Sequence, residues 1–227
     1  MKKESLDQPG FEKMKYQLIA FDIDGTITRH SSSWRYLHER LGQWDDQAFE
    51  YQDRFLAGEI SYKKFCRLDA AHWKGMEADK MASIFKDIPY AQNVHEAVEI
   101  LKDRGFLLIA LSTGLQFIVD RVKEELRLDY AVGNILKVSG GRLTGGVKIH
   151  VSHLGKGRVL RKILKRLHIP PCRAVVVGDS AGDLPMMEMA GYSIAFNADS
   201  PEIVKAADYS CRTRDFMEVC RKIIDIS

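Results

Sequence analysis

The chain has 227 residues, with 34 Lys plus Arg against 31 Asp plus Glu for a formal net charge of +3, and it is 45% hydrophobic and 29% charged. That balance excludes collagen-like, mucin-like and strongly disordered chains. It also argues against a nucleic-acid partner, because the one basic cluster, residues 156–166 (KGRVLRKILKR), reads as the solvated face of a helix rather than a broad phosphate-tracking surface.

Residues 1–13 are polar and lack the apolar stretch of a secretory signal, so they read as a flexible leader extending to residue 14, with Met14 beginning the folded part. Residues 16–22 (YQLIAFD) form an apolar run too short for a helix and predict a buried strand. Residues 33–88 hold no convincing strand. Their apolar positions (Trp34, Leu37 and Leu41, then Tyr62, Phe65 and Cys66, then Met81, Ile84 and Phe85) repeat at helical spacing and predict an all-helical insert.

Val94, Val98 and Leu101 share a helix face ahead of a second strand, 106–111 (FLLIAL), and Leu115, Ile118, Val119, Val122 and Leu126 mark a helix after it. Residues 134–149 predict a β-hairpin turning at Gly140-Gly141. A further helix carrying Leu160, Ile163, Leu164 and Leu167 leads to strands at 174–178 (AVVVG) and 193–196 (SIAF). Continuous apolar strands alternating with helices predict an α/β fold with a Rossmann-like parallel sheet, covered on both faces. The domain plan is a core of residues 15–30 and 90–227, interrupted by the helical insert 31–89. No apolar run approaches the roughly 18 residues of a membrane span. The four cysteines (Cys66, Cys172, Cys211, Cys220) include no CxxC pair and read as reduced thiols of a cytoplasmic protein.

Polar residues gather after three predicted strands: Asp22-Ile23-Asp24-Gly25-Thr26, Ser112-Thr113-Gly114, and Gly178-Asp179-Ser180-Ala181-Gly182-Asp183, with Lys156 just ahead of the helix that leads to the third. The carboxyl ends of parallel strands line one crevice, which brings these residues together. Four crowded carboxylates call for a cation, and an oxygen-only ligand set suits Mg²⁺. A hydroxyl and free amides at a helix start form an anion seat, and a lysine adds a point charge for phosphate. Taken singly, each piece has an ordinary reading: Asp183 before Leu184-Pro185 as a helix cap, Ser112 as a cap, Lys156 as a surface lysine.

Together, FDIDGT, LSTG, HLGKG and GDSAGD resemble the motifs of the haloacid dehalogenase superfamily, and the run NILKVSGGRLTGG resembles its phosphoserine-phosphatase-like branch. The resemblance covers Tyr16 to about Lys222 and equates the helical insert with that family's cap. It implies that Asp22 attacks phosphorus to form an aspartyl-phosphate. Asp24 would protonate the leaving alcohol and then activate water. Ser112, with the backbone of Thr113 and Gly114, would hold phosphate oxygens, and Lys156 would stabilise nucleophile and phosphoryl group alike. Asp22, the Asp24 backbone carbonyl and Asp179 would bind Mg²⁺, with Asp183 nearby. Asp24 also separates this chain from haloalkanoate dehalogenases, whose halide leaving group needs no proton. The implied partner is a small phosphorylated metabolite, bound by a monomer or homodimer.

The sequence departs from that branch where amino-acid recognition is expected. Ser31 stands where a glutamate grips the substrate amine, and Asp69, with Arg67 two residues away, stands where an arginine grips the carboxylate. Gly182 replaces the usual asparagine. A site lacking specific charges is not built for the substrate that needs them, which favours a substrate other than phosphoserine. Ser31, Trp34, Asp69 and Trp73, with Ser32, Ser33 and His72, are then the candidate readers of the substrate, although packing in the cap core explains Trp34 and Trp73 equally. Phosphoserine hydrolysis proper, phosphotransfer to another alcohol and a phospho-acceptor signalling module are the competing readings. No GxGxxG follows the first strand, which disfavours a dinucleotide site.

Overall fold

A computed structural model describes residues 11–43, 46–198 and 200–227. Seven strands form one sheet in the order β4-β3-β2-β1-β5-β6-β7, parallel throughout except for the antiparallel β3–β4 pair. In chain order the strands are β1 (Leu18–Phe21), β2 (Leu107–Leu115), β3 (Tyr130–Ser139), β4 (Arg142–Lys148), β5 (Ala174–Gly178), β6 (Tyr192–Phe196) and β7 (Tyr209–Cys211). Between β1 and β2 lie α1 (Ser33–Arg40), α2 (Asp46–Leu56), α3 (Tyr62–His72), α4 (Ala78–Ile84) and α5 (Val94–Asp103). Then come α6 (Gln116–Glu125) after β2, α7 (Lys156–Leu167) before β5, α8 (Leu184–Met187) before β6, α9 (Pro201–Ala206) before β7, and α10 (Met217–Ile226). No helix among the described residues is long and apolar enough to cross a membrane.

Both faces of the sheet are covered. Along β1, Ile19 and Phe21 enter one apolar cluster while Leu18 and Ala20 enter the other, and β5 divides Val175 and Val177 from Ala174 and Val176 in the same way. This is the period of two that a strand imposes on its side chains. The first cluster runs without a break into the helical insert, through Trp34, Leu37, Cys66, Trp73, Met81 and Phe85. Serines set the entry of two insert helices, since Ser32 Oγ accepts the Arg35 amide at 3.3 Å and Ser61 Oγ the Lys64 amide at 3.2 Å.

The expected hairpin turns at Gly140 and Gly141, whose φ values of +55° and +74° suit a two-residue turn that other residues resist. Its tip is stitched to the insert by main-chain bonds: Gly75 N–H to Leu143 O at 2.7 Å, Ala78 N–H to Gly141 O at 2.9 Å and Leu143 N–H to Met76 O at 2.8 Å.

Three expectations are corrected. Regular structure is present ahead of Met14: residues 11–13 form a 3₁₀ turn with Phe11 buried in the second cluster, held by Gln17 Nε2 donating to Phe11 O at 2.9 Å. Residues 1–10 of the expected leader lie outside the described residues. The second strand does not stop at Ser112 but runs on to Leu115, with a register irregularity against β3 between Leu111 and Leu115. The first hairpin arm begins at Tyr130, because residues 130–132 pair in parallel with β2 before the chain reaches the hairpin.

Candidate active site

β1 lies between β2 and β5, so the loops leaving these three strands open on one crevice. Asp22, whose amide donates to Val177 O at 2.9 Å, follows β1 directly. Gly25 turns the chain behind it at φ +91°, and a Cβ there would collide with the Asp179 carboxylate. Thr26 Oγ1 donates to Asp179 Oδ1 at 2.9 Å, tying the first loop to the one after β5.

Lys156 is the first residue of α7 rather than a residue ahead of it, and its Nζ donates to Asp22 Oδ1 and, at 2.5 Å, to Asp183 Oδ1. The three side chains are nearly shut off from solvent, at 2% exposure for Lys156, 3% for Asp22 and none for Asp183. Asp183 precedes α8 but its side chain does not cap that helix; it closes a capping box on the 3₁₀ turn 181–183 instead, with Oδ2 accepting the amides of Asp179 at 3.1 Å and Ser180 at 3.0 Å and the Ser180 hydroxyl at 3.1 Å. The cap and the ion pair use different oxygens of one carboxylate.

Carboxylate oxygens of Asp22, Asp179 and Asp183 lie within 4.8 Å of one another. Their proximity shows in their acidities. Burial, then the Asp183 charge, pushes the Asp22 carboxyl well above its usual range despite Lys156. Burial and Asp183 raise Asp179 to about 6. Burial raises Asp24, opposed by hydrogen bonds from the Ser33 hydroxyl and amide. Burial disfavours the charge on Lys156, but Asp183 and Asp22 outweigh it and hold the ammonium protonated. Four acids therefore face one lysine, and the pocket is short of positive charge. An all-oxygen donor set with that deficit fits Mg²⁺. Both Asp183 oxygens accept hydrogen bonds within the protein, and Asp22, Asp179 and Asp183 each offer one oxygen that could serve as a ligand atom.

Ser112, Thr113 and Gly114 lie in the tail of β2, and their groups are only partly as expected. Ser112 is fully buried, and its Oγ accepts the Gly114 amide at 2.8 Å. That amide is therefore engaged rather than open to an anion, a correction that follows from β2 running on to Leu115 before α6 begins at Gln116. Glycine is required at 114, since a Cβ there would run into Asp24 Oδ2 and Ser33 Oγ. The Thr113 carbonyl accepts Trp34 Nε1 at 3.1 Å, Tyr62 Oη at 2.7 Å and Asn134 Nδ2 at 2.8 Å, which pins α1 and α3 of the insert against β2.

The candidate substrate readers do not gather in the crevice. Ser31 is exposed on the surface. Asp69 is 2% exposed and faces His38 inside the insert, with Oδ1 3.4 Å from Nε2. Trp73 is fully buried, and its ring stacks on Trp34 with centroids 5.8 Å apart. Of the four, Trp34 alone bonds to a crevice residue, through Thr113.

Sequence reading missed Asn134 and His153, and named Ser33 only as a candidate reader of the substrate. Ser33 Oγ donates to Asp24 Oδ2 at 2.8 Å and accepts the Leu115 amide at 3.0 Å. Asn134, fully buried on β3, accepts the amides of His150 at 2.8 Å and Val151 at 3.0 Å and also donates to Tyr62 Oη at 3.2 Å, so it joins the loop leading to Lys156 to the insert. His153 packs its ring on Phe55 and Tyr62 at 5.2 and 6.2 Å. A polar residue in the apolar stretch 130–136 was the one available signal for Asn134, and Ser33 carried none beyond its neighbours Ser31 and Ser32.

The family model for haloacid dehalogenase-like hydrolases matches residues 19–188. The phosphoserine phosphatase of Archaeoglobus fulgidus is 35% identical over 183 residues, covering 80% of this chain and 53% of that protein. The phosphoserine phosphatase of Methanocaldococcus jannaschii is 31% identical over 210 residues, covering 92% and 98%. The chain thus spans about half the length of the first relative and nearly all of the second. A solved structure described as a substrate-bound phosphoserine phosphatase complex superposes with a TM-score of 0.80 at 30% identity, covering 92% of this chain and 99% of that one. The chain belongs to the haloacid dehalogenase-like hydrolases, in their phosphoserine-phosphatase-like branch of phosphoric monoester hydrolases.

Proposed function

We propose that the protein is a Mg²⁺-dependent phosphatase that hydrolyses a small-molecule phosphomonoester through an aspartyl-phosphate on Asp22. The observation that carries this reading is the buried triad in which Lys156 bridges Asp22 and Asp183 beside Asp179. Phosphoryl transfer asks chiefly for positioning and charge neutralisation, and the triad supplies both. Asp22 and Asp179, with the Asp24 backbone carbonyl, would hold the metal, and Asp183 would orient Lys156 and the loop after β5. The ion's contribution when bound is to neutralise charge on the phosphoryl oxygens.

In the first step an Asp22 carboxylate oxygen bonds to phosphorus. The ester P–O bond breaks, and its electron pair leaves on the alcohol oxygen, which takes a proton from Asp24. In the second step water attacks phosphorus as Asp24 takes its proton, the bond between phosphorus and the Asp22 oxygen breaks with its electron pair returning to the Asp22 carboxylate, and inorganic phosphate is released. Asp24 can hold that proton because its burial favours the neutral form. Ser112 donates its hydroxyl proton to the phosphoryl oxygens, its oxygen being engaged by Gly114.

The relatives make phosphoserine the first ester to assay. The expectation of a different preferred substrate rests on Ser31, Asp69 and Gly182, and a panel of phosphoserine, sugar phosphates and phosphoglycerates ranked by kcat/KM decides it. For the mechanism, Asp22→Asn is expected to abolish Mg²⁺-dependent phosphate release from an aryl phosphate. Undiminished release by that variant overturns the reading.

A further inference from the structure

The residue that holds Asp24 comes from the helical insert, not from the crevice motifs. Ser33 opens α1, is fully buried, and its oxygen sits between two partners: it accepts the Leu115 amide at 3.0 Å and lies 2.8 Å from Asp24 Oδ2. With an amide proton arriving from Leu115, the serine's own proton is directed to Asp24. Oδ2 is thereby an acceptor. The other oxygen, Oδ1, is buried without a hydrogen-bond partner among the described residues. A neutral carboxyl carries one proton, and an oxygen already receiving a hydrogen bond is the poorer place for it. The close wall at Gly114, where even a methyl group would strike both Asp24 Oδ2 and Ser33 Oγ, leaves this pair no room to rearrange.

We propose that Ser33 is a positioning residue for the acid of the first step: it fixes Oδ2 as acceptor and leaves the transferable proton on Oδ1. This rests on the phosphatase reading above. As Asp22 bonds to phosphorus and the ester P–O bond breaks, the Oδ1 proton passes to the departing alcohol oxygen, and Asp24 is left as a carboxylate whose Oδ2 charge the Ser33 hydroxyl steadies. Because Ser33 belongs to α1, the acid is correctly set when the insert is docked on β2.

The consequence is selective. An alkyl alcohol needs that proton in order to leave, whereas p-nitrophenolate leaves without one. The value of kcat/KM reports the path through phosphoryl transfer to Asp22 and excludes the later water step. Ser33→Ala is therefore expected to lower kcat/KM for an alkyl phosphate at least tenfold more than for p-nitrophenyl phosphate, and Ser33→Thr, which restores a hydroxyl, to recover most of the difference. Equal losses on both esters, or no loss on the alkyl ester, overturn the proposal. If circular dichroism shows that Ser33→Ala does not fold, Ser33→Cys, nearly isosteric with a weaker donor, is read by the same ratio: above threefold supports the role and a ratio of one overturns it. Failure of the underlying phosphatase reading looks different, as an inactive wild type or an active Asp22→Asn.

Discussion

In the crevice, Asp22, Asp24, Asp179 and Asp183 face one ammonium, and their side-chain oxygens are held by that ammonium, by hydroxyls and by backbone amides. Inside the helical insert, Asp69 faces one histidine among rings: His38 lies 3.4 Å away, with Trp73 at 4.7 Å and His72 at 5.4 Å from the His38 ring. Both places bury carboxylates. In the insert the acid sits beside two histidines, and its carboxyl is raised chiefly by burial and lowered by His38 and His72. In the crevice the protein leaves an excess of acid that it does not neutralise itself. An excess of acid held in place by aligned donors marks a region that awaits a charged ligand, while a lone acid set among histidine and tryptophan rings marks packing.

That contrast can be broken experimentally. The largest expected effect is at Lys156. Lys156→Met leaves Asp22 and Asp183 without their shared cation and is expected to lower kcat by about 10²–10³-fold, the range seen when one donor to developing charge is removed. Steady-state kinetics on an aryl phosphate measures it, and a loss under threefold would mean that the crevice charge has no catalytic use. The next effect is thermal. Asp179, raised in the metal-free protein from 3.8 to about 6, binds its proton more tightly folded than unfolded. Metal-free stability therefore falls as pH rises from about 4 through 6, because over that window the unfolded state has already released this proton. Mg²⁺ removes the same penalty, so the Tm gained with saturating Mg²⁺ is expected to be about 5 °C or more at pH 7.5, and smaller at pH 5, where the ion competes with a proton. A pH-independent gain in differential scanning calorimetry contradicts the assignment of the crevice acids as ligands. The smallest effect on catalysis is at Asp69. Asp69→Asn is expected to cost about 1–3 kcal/mol in urea unfolding while KM for the best substrate changes less than threefold. A tenfold KM change at unaltered stability would return Asp69 to the substrate site.

The same contrast explains what could be read from sequence. The strands β1 and β5 were legible because strands buried on both faces write continuous apolar runs. The four acids were legible because each follows such a run within five residues, and parallel topology does the rest. The three-residue strand β7, half-buried at the sheet edge, left no pattern. The start of β3 was obscured because its first three residues are only partly buried. The overrun of β2 to Leu115 was hidden by Ser112-Thr113-Gly114, polar residues that look like a loop until their partners are known. Those partners are remote: Ser33 reaches Leu115 across 82 residues, and Tyr62 reaches Thr113 across 51. Nothing local distinguishes Ser33 from Ser31 or Ser32, and nothing local says that Asp69 turns inward to His38.

The Thr113 carbonyl has a consequence for how the insert is tied to the sheet. A carbonyl oxygen has two lone pairs, and here three donors converge on it. Two of them, Trp34 and Tyr62, ride on the insert, while Asn134 is fixed to β3 and to the loop at 150–151. Losing either insert donor therefore leaves the carbonyl paired with Asn134, and no buried acceptor is stranded. The seat is redundant: a substitution at Trp34 or Tyr62 removes one strand of a three-strand tie and leaves the backbone of β2 satisfied where it borders the crevice.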